Sequence, residues 1–227
     1  MAKRKMSLAQ KINVLRAGVM GANDGILSVA GIVVGVAVAT SNSFSILISG
    51  LSGSLAGTIS MCMGEYVSVS TQKDFEKMAI IAEKQHLEDD LDGVRQDMVN
   101  RYLAQEIDPQ LANKAADELL GDDALDNVVQ EKYGFNPKEF TSPHEAAIAS
   151  FIAFPTGSIL PMLAVTLSPV KMRIVATIVA VLIALAITGY VAAVLGDSNR
   201  VKSAIRNVVS GMMTMGVTFL IGQLFAR

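Results

Sequence analysis

Five runs of nearly unbroken apolar residues divide this chain, and a long polar block separates the second run from the third. The runs cover residues 14–39, 44–69, 146–167, 174–195 and 208–225. Each is long enough to cross a bilayer as an α-helix, which takes about 20 residues. Only Thr40-Ser41-Asn42-Ser43 joins the first two, so they are expected to form a tight helical hairpin. Ser168 to Arg173 links the third to the fourth, and Gly196-Asp197-Ser198-Asn199-Arg200 with a short basic run links the fourth to the fifth. The basic start, Met1-Ala2-Lys3-Arg4-Lys5, resembles the head of a signal peptide. The apolar run behind it is too long for one and lacks a small-residue cleavage site, so it is read as a retained first span.

The polar block carries helical punctuation. Asp108-Pro109 is a good N-cap and N1 pair, with Leu111, Ala115 and Leu119 following at helical spacing. Gly121-Asp122-Asp123 stops that helix and is expected to cap another running to Tyr133, which Gly134 ends. No Gly or Pro occurs between Glu65 and Asp92, so the second span is expected to continue beyond the bilayer as one rod beneath a small helical bundle. The expected fold is all-α: a multi-pass membrane protein with five transmembrane helices and a cytoplasmic helical domain inserted between spans two and three. The expected divisions are 1–70 with spans one and two, 71–145 as the polar domain, and 146–227 with spans three to five.

Charge sharpens this division. Of 21 acidic residues, 18 lie within 71–145 against eight bases, a net charge of −10, while the remainder of the chain is at +8. Lys3, Arg4, Lys5, Lys11, Arg16, Lys73, Lys77, Arg200, Lys202 and Arg206 fall on one side of the spans, and Lys171, Arg173 and Arg227 on the other. Ten against three puts the N-terminus and 71–145 in the cytoplasm and the C-terminus outside, in what is expected to be the cell membrane. The bases form no stripe with interleaved aromatics, which argues against a nucleic-acid partner. The single cysteine, Cys62, excludes an internal disulfide and a cysteine zinc site. No Gly-Lys-Ser/Thr phosphate loop or serine nucleophile motif is present, so neither an ATP-driven pump nor an enzyme is expected.

Asp24 and Glu65 are the acids within the spans, where an ionisable group is costly and marks function by default. Met20 and Asp24 share one face of span one, and Met61 and Glu65 share one face of span two. Two carboxylates and two thioethers meeting between these helices would favour Fe(II) or Mn(II) over Mg(II) or Ca(II). Each has a plainer reading: the methionines as packing residues, Glu65 as an acid reaching the interface, Asp24 as a bond within a helix kink. In the polar block, Glu76 and Glu83 share a face, His86 lies nearby, and Glu118 and Glu131 come from later helices. Together such oxygens would hold divalent ions, although most acids in a charged run are simply solvated. Gly21 and Gly25, Gly31 and Gly35, and Gly53 and Gly57 have the spacing that lets membrane helices approach closely, within one chain or between two.

These residues also carry a family resemblance. Leu15-Arg16-Ala17 with Gly21-Ala22-Asn23-Asp24-Gly25-Ile26 resembles the first-span signature of the vacuolar iron transporter family. Ile59-Ser60-Met61 with Gly64-Glu65-Tyr66-Val67-Ser68-Val69-Ser70 resembles its second span. Asp123-Ala124-Leu125, Ala146 to Ser150, Leu160-Pro161 and Gly222-Gln223-Leu224-Phe225 extend the likeness over nearly the whole chain. The resemblance implies a five-span homodimer that exchanges Fe(II), often also Mn(II), for protons, without a prosthetic group. It implies a path between the first helices of the two subunits, lined at Asp24 and Met61, and a cytoplasmic metal-binding domain that includes Glu83. The chain departs from plant and protist members at Gly53, where they carry glutamate, and at Glu65, where they carry glycine, as the bacterial branch does. Val128, Val129 and Lys132 stand where those members have two methionines and a glutamate, with Glu131 adjacent; Asp97 falls near another family glutamate. The expected activity is export of a divalent metal ion from the cytoplasm in exchange for protons; the alternatives are a membrane-embedded metal sensor or scaffold without transport, and a passive channel.

Overall fold

The computed structural model describes residues 7–226. Lys3, Arg4, Lys5 and Arg227, used above to orient the chain, lie outside the described residues. Among these residues all regular structure is helical: α1 (Leu8–Ala39), α2 (Ser43–Asp89), α3 (Leu91–Ala104), α4 (Pro109–Leu119), α5 (Ala124–Tyr133), α6 (Pro143–Leu167), α7 (Arg173–Leu195) and α8 (Arg200–Phe225). Helices α1, α2, α6, α7 and α8 are long and apolar enough to cross a membrane. The chain divides into two compact units, one of Ser68–Ser142 with the residues up to Gln10, the other of Lys11–Val67 and Pro143–Arg227. Helix α2 contributes to both. Its 47 residues reach roughly 70 Å at 1.5 Å per residue, as the run without Gly or Pro after Glu65 predicts.

In the apolar unit, α1 is the helix covered on two sides. Ile26, Ala30 and Val34 pack with Val181 and Leu185 of α7 and Met215 of α8. Val29 and Val33 pack with Ile46 of α2 and with Phe154 and Val165 of α6. Helix α7 shows the opposite case. Val181 and Leu185 are fully buried, whereas Val175, Val179, Ile183 and Ile187 form an exposed apolar stripe at four-residue spacing. Such a stripe suits lipid, which is as apolar as the side chains facing it.

The crossing of α1 and α6 depends on two glycines. A Cβ at Gly25 would collide with the Phe154 carbonyl, and one at Gly157 with the Ala22 carbonyl. The two backbones thus touch where each lacks a side chain. The second-span glycines also pack within the chain, Gly53 against Ile32 and Gly57 against the Phe154 ring. Gly25→Leu forces side-chain atoms into a backbone that cannot give way. It is expected to lower stability by about 3 kcal/mol or more, as a lower Tm in detergent. An unchanged Tm would show that the crossing tolerates bulk.

In the polar unit, Met98 and Val99 of α3 pack with Ala112 and Ala116 of α4, joined by Tyr102, Ile107 and Leu119. The Asp108 carboxylate accepts from the backbone N–H of Gln110 and Leu111, with Pro109 in the first turn. Gly134 closes α5 at φ 75°. The start of α5 differs from expectation. Asp123 sits at the N-cap with φ 62° and makes no side-chain cap bond. Its carboxylate lies 3.6 Å from Lys138 instead. Helix α3 begins at Asp90, whose side chain accepts from the Gly93 N–H.

Candidate functional site

Helical spacing alone places Arg16, Met20 and Asp24 on one line along α1. The structure adds a partner from α2. One nitrogen of the Arg16 guanidinium, Nη2, lies 3.2 Å from Glu65 Oε2 and also donates to Asn13 Oδ1 at 3.0 Å. The other, Nη1, lies 3.8 Å from the Met20 sulfur. Glu65 is buried, at 6% exposure, so its charge is balanced by an arginine that is itself 46% exposed. Asp24 is half-buried, and its Oδ1 accepts from the Ser28 hydroxyl at 2.8 Å. Among the described residues no backbone N–H donates to it. Met61 is partly buried and packs on the apolar cluster of Val29, Val33, Ile46, Phe154 and Val165. Of the four groups expected to converge in the spans, Met20 and Glu65 are linked, through Arg16.

In the polar unit, Glu83 is the most enclosed acid, 1% exposed. Lys132 Nζ sits 2.5 Å from its Oε1, and the Tyr133 hydroxyl donates to Oε2 at 3.2 Å. Lys132 also lies 4.0 Å from Asp97. His86 is exposed, with Nδ1 4.0 Å from Glu83. Glu76 is buried and accepts from the Gln72 side chain at 2.8 Å. Glu118 and Glu131 are exposed and line one cavity of about 400 Å3 with Leu119, Asn127 and Gln130. Among the described residues of this single chain, no three His, Cys, Asp or Glu side chains converge as a metal site.

Burial, reinforced by the Glu83 carboxylate, raises the pKa of Tyr133 above that of a free tyrosine. A proton held more tightly in the folded state means that stability falls as pH rises from about 10, the ordinary tyrosine value, toward the raised one. Burial also raises the pKa of Tyr102, so the absorbance titration of the four tyrosines is expected to contain a late fraction from Tyr102 and Tyr133, reduced but not abolished in Tyr133→Phe. A single titration unaffected by that change would contradict it. Elsewhere on this unit, a hydrogen bond from Arg95 lowers the pKa of Asp117, the two atoms 2.5 Å apart on the exposed side of α3 and α4.

The contacts to the candidate acids that were not foreseen are those of Arg16, Lys132 and Tyr133. Arg16 had a visible signal: it lies four residues before Met20 and eight before Asp24. Lys132 was visible only as a departure from the family, at one of the positions where plant and protist members have two methionines and a glutamate.

Five long apolar helices with ionisable groups between them define an integral membrane protein with a polar helical unit. Residues 15–223 match the profile of the VIT family, and the chain belongs to that family. A vacuolar iron transporter of Acanthamoeba castellanii is 35% identical, the match covering 92% of this chain and 78% of that protein. Vacuolar iron transporter homolog 2.1 of Arabidopsis thaliana is 32% identical over 96% of this chain and 84% of its own. Homolog 5 of Oryza sativa subsp. japonica is 32% identical over 97% and 85%.

Proposed function

We propose that this chain carries a divalent metal ion, Fe(II) and also Mn(II), out of the cytoplasm in exchange for protons. The observation that carries the reading is the line of Arg16, Met20 and Asp24 on α1 with Glu65 held beside it, inside helices of a VIT-family protein. The relatives named as iron transporters support iron as the substrate. Their names place them in vacuoles; we place this chain in the cell membrane, and the basic-residue bias suits 71–145 in the cytoplasm in either membrane. Both settings have the same direction: the ion leaves the cytoplasm.

The mechanism follows from the charges. The acidic unit raises the local cation concentration by its field. Glu65 is the first acid within the spans, and its resident counter-ion is Arg16. A divalent ion arriving there displaces the guanidinium, which is exposed enough to swing aside while remaining anchored to α1. The ion then passes to Asp24, with the Met20 thioether within reach of the same face. A carboxylate in a low-dielectric site holds either a metal ion or a proton, so the two compete, and that competition couples their fluxes. Because one chain supplies few ligands, the reading includes a homodimer in which two copies of α1 face each other. In the polar unit, Glu83 is already neutralised by Lys132, so a metal ion reaches it only by displacing that ammonium.

The test is Fe(II) flux into vesicles that contain only this protein, under an imposed pH gradient. Flux that rises with the gradient supports exchange, and flux indifferent to it indicates a channel. No flux, with metal still bound, indicates a sensor. In the same assay, Arg16→Gln is expected to change the metal concentration needed for half-maximal flux. An unaltered value would remove Arg16 from the path.

A further inference from the structure

Arg173 opens α7, and its side chain is buried, at 6% exposure. Its Nη2 donates to the Ser43 hydroxyl at 2.8 Å, and its Nε–H is buried with no partner. A guanidinium stays charged at any physiological pH and carries five donors. Burying one is costly unless an anion balances it. Neither connection at this place supplies one: Thr40-Ser41-Asn42-Ser43 and Ser168-Pro169-Val170-Lys171-Met172 contain no acid. Among the described residues the recorded partner of the guanidinium is a neutral hydroxyl.

A cavity of about 230 Å3 opens beside it, lined by Ser43, Phe44, Ile46, Leu47, Val165 and Thr166. Helix α2 starts at Ser43, so its positive end adds to the field there, although Asn42 Oδ1 already accepts from the N–H groups of Phe44 and Ser45. Phe44 and Leu47 are exposed on the apolar side. Both connections lie at the ends of spans, the depth of lipid headgroups.

We propose that this cavity binds one phosphate-type oxyanion, which balances Arg173. The phosphodiester of a membrane lipid and free inorganic phosphate share that chemistry. The oxyanion accepts from the guanidinium and from the Ser43 hydroxyl. A lipid's chains would run along Phe44 and Leu47.

The full-length protein in neutral detergent is titrated with phosphatidylglycerol, with a diacylglycerol of the same chains lacking phosphate, or with inorganic phosphate. Bound molecules are counted by native mass spectrometry, alongside Tm. The expected result is one phosphatidylglycerol per chain in preference to diacylglycerol, bound about tenfold more weakly by Arg173→Gln. Lys171→Gln, which removes the same charge from the adjoining connection, keeps the wild-type affinity. Arg173-dependent binding of inorganic phosphate alone supports the site and makes the soluble ion its source. Phosphatidylglycerol binding that is preferred over diacylglycerol yet equal in wild type and Arg173→Gln overturns the proposal, as does no preference over diacylglycerol together with no Arg173-dependent binding of inorganic phosphate. If Arg173→Gln is not recovered folded, Ser43→Ala decides: affinity weakened about threefold supports the site, and unchanged affinity overturns it.

Discussion

Replacing Lys132 with methionine is expected to destabilise the polar unit by about 3–5 kcal/mol, because it strands a buried carboxylate. Glu83 is 1% exposed and Lys132 14%, so water cannot take the ammonium's place. The remaining support is the Tyr133 hydroxyl, one neutral donor, with the exposed His86 4.0 Å from the carboxylate. The double change Glu83→Gln with Lys132→Met removes both charges and is expected to recover most of the loss. Removing a buried pair costs far less than breaking it. Native-state hydrogen exchange of the α5 amides in the full-length protein reads this directly. A double variant no more protected than Lys132→Met would show that the pair is not coupled. The consequence for function is specific: metal binding at Glu83 is expected to be stronger in Lys132→Met than in the native chain, where the ammonium occupies the carboxylate.

Asp24→Asn is expected to reduce Fe(II) flux by about tenfold or more, while the protein folds normally. Asparagine has nearly the same shape, and its carbonyl oxygen still accepts from the Ser28 hydroxyl, 2.8 Å from Oδ1 in the native chain. The change removes the charge alone. A bond to a charged group contributes about 1.5–3 kcal/mol, and each 1.4 kcal/mol is tenfold in rate. The half-buried setting of Asp24 and the absence of backbone donors, among the described residues, leave its charge available to a cation. Flux equal to wild type would take Asp24 out of the path.

The features legible in the chain were local ones. The five long helices follow from unbroken apolar runs, and the unbroken α2 from a stretch without Gly or Pro. The α4 cap follows from Asp108-Pro109, and the end of α5 from Gly134. Helix α3 was not separately visible because its start rests on one Asp90–Gly93 bond inside a run of acids. The pairings that define the sites were not visible at all. Arg16 meets Glu65 and Lys132 meets Glu83 across 49 residues, and Arg173 meets Ser43 across 130. Periodicity specifies which face a residue occupies, not which distant helix covers that face. Met61 shares a face with Glu65 by spacing, and the structure adds that it also packs on the apolar cluster that includes Phe154.

The crossing of α1 and α6 has a mechanical consequence. At Gly25 and Gly157 main chain rests directly on main chain, with no flexible side chains between to act as a lubricant. Sliding either rod along the other would first require prying them apart. The pair is therefore the fixed pillar of the apolar unit, and any rocking that opens Asp24 first to one side and then to the other falls to the helices around it.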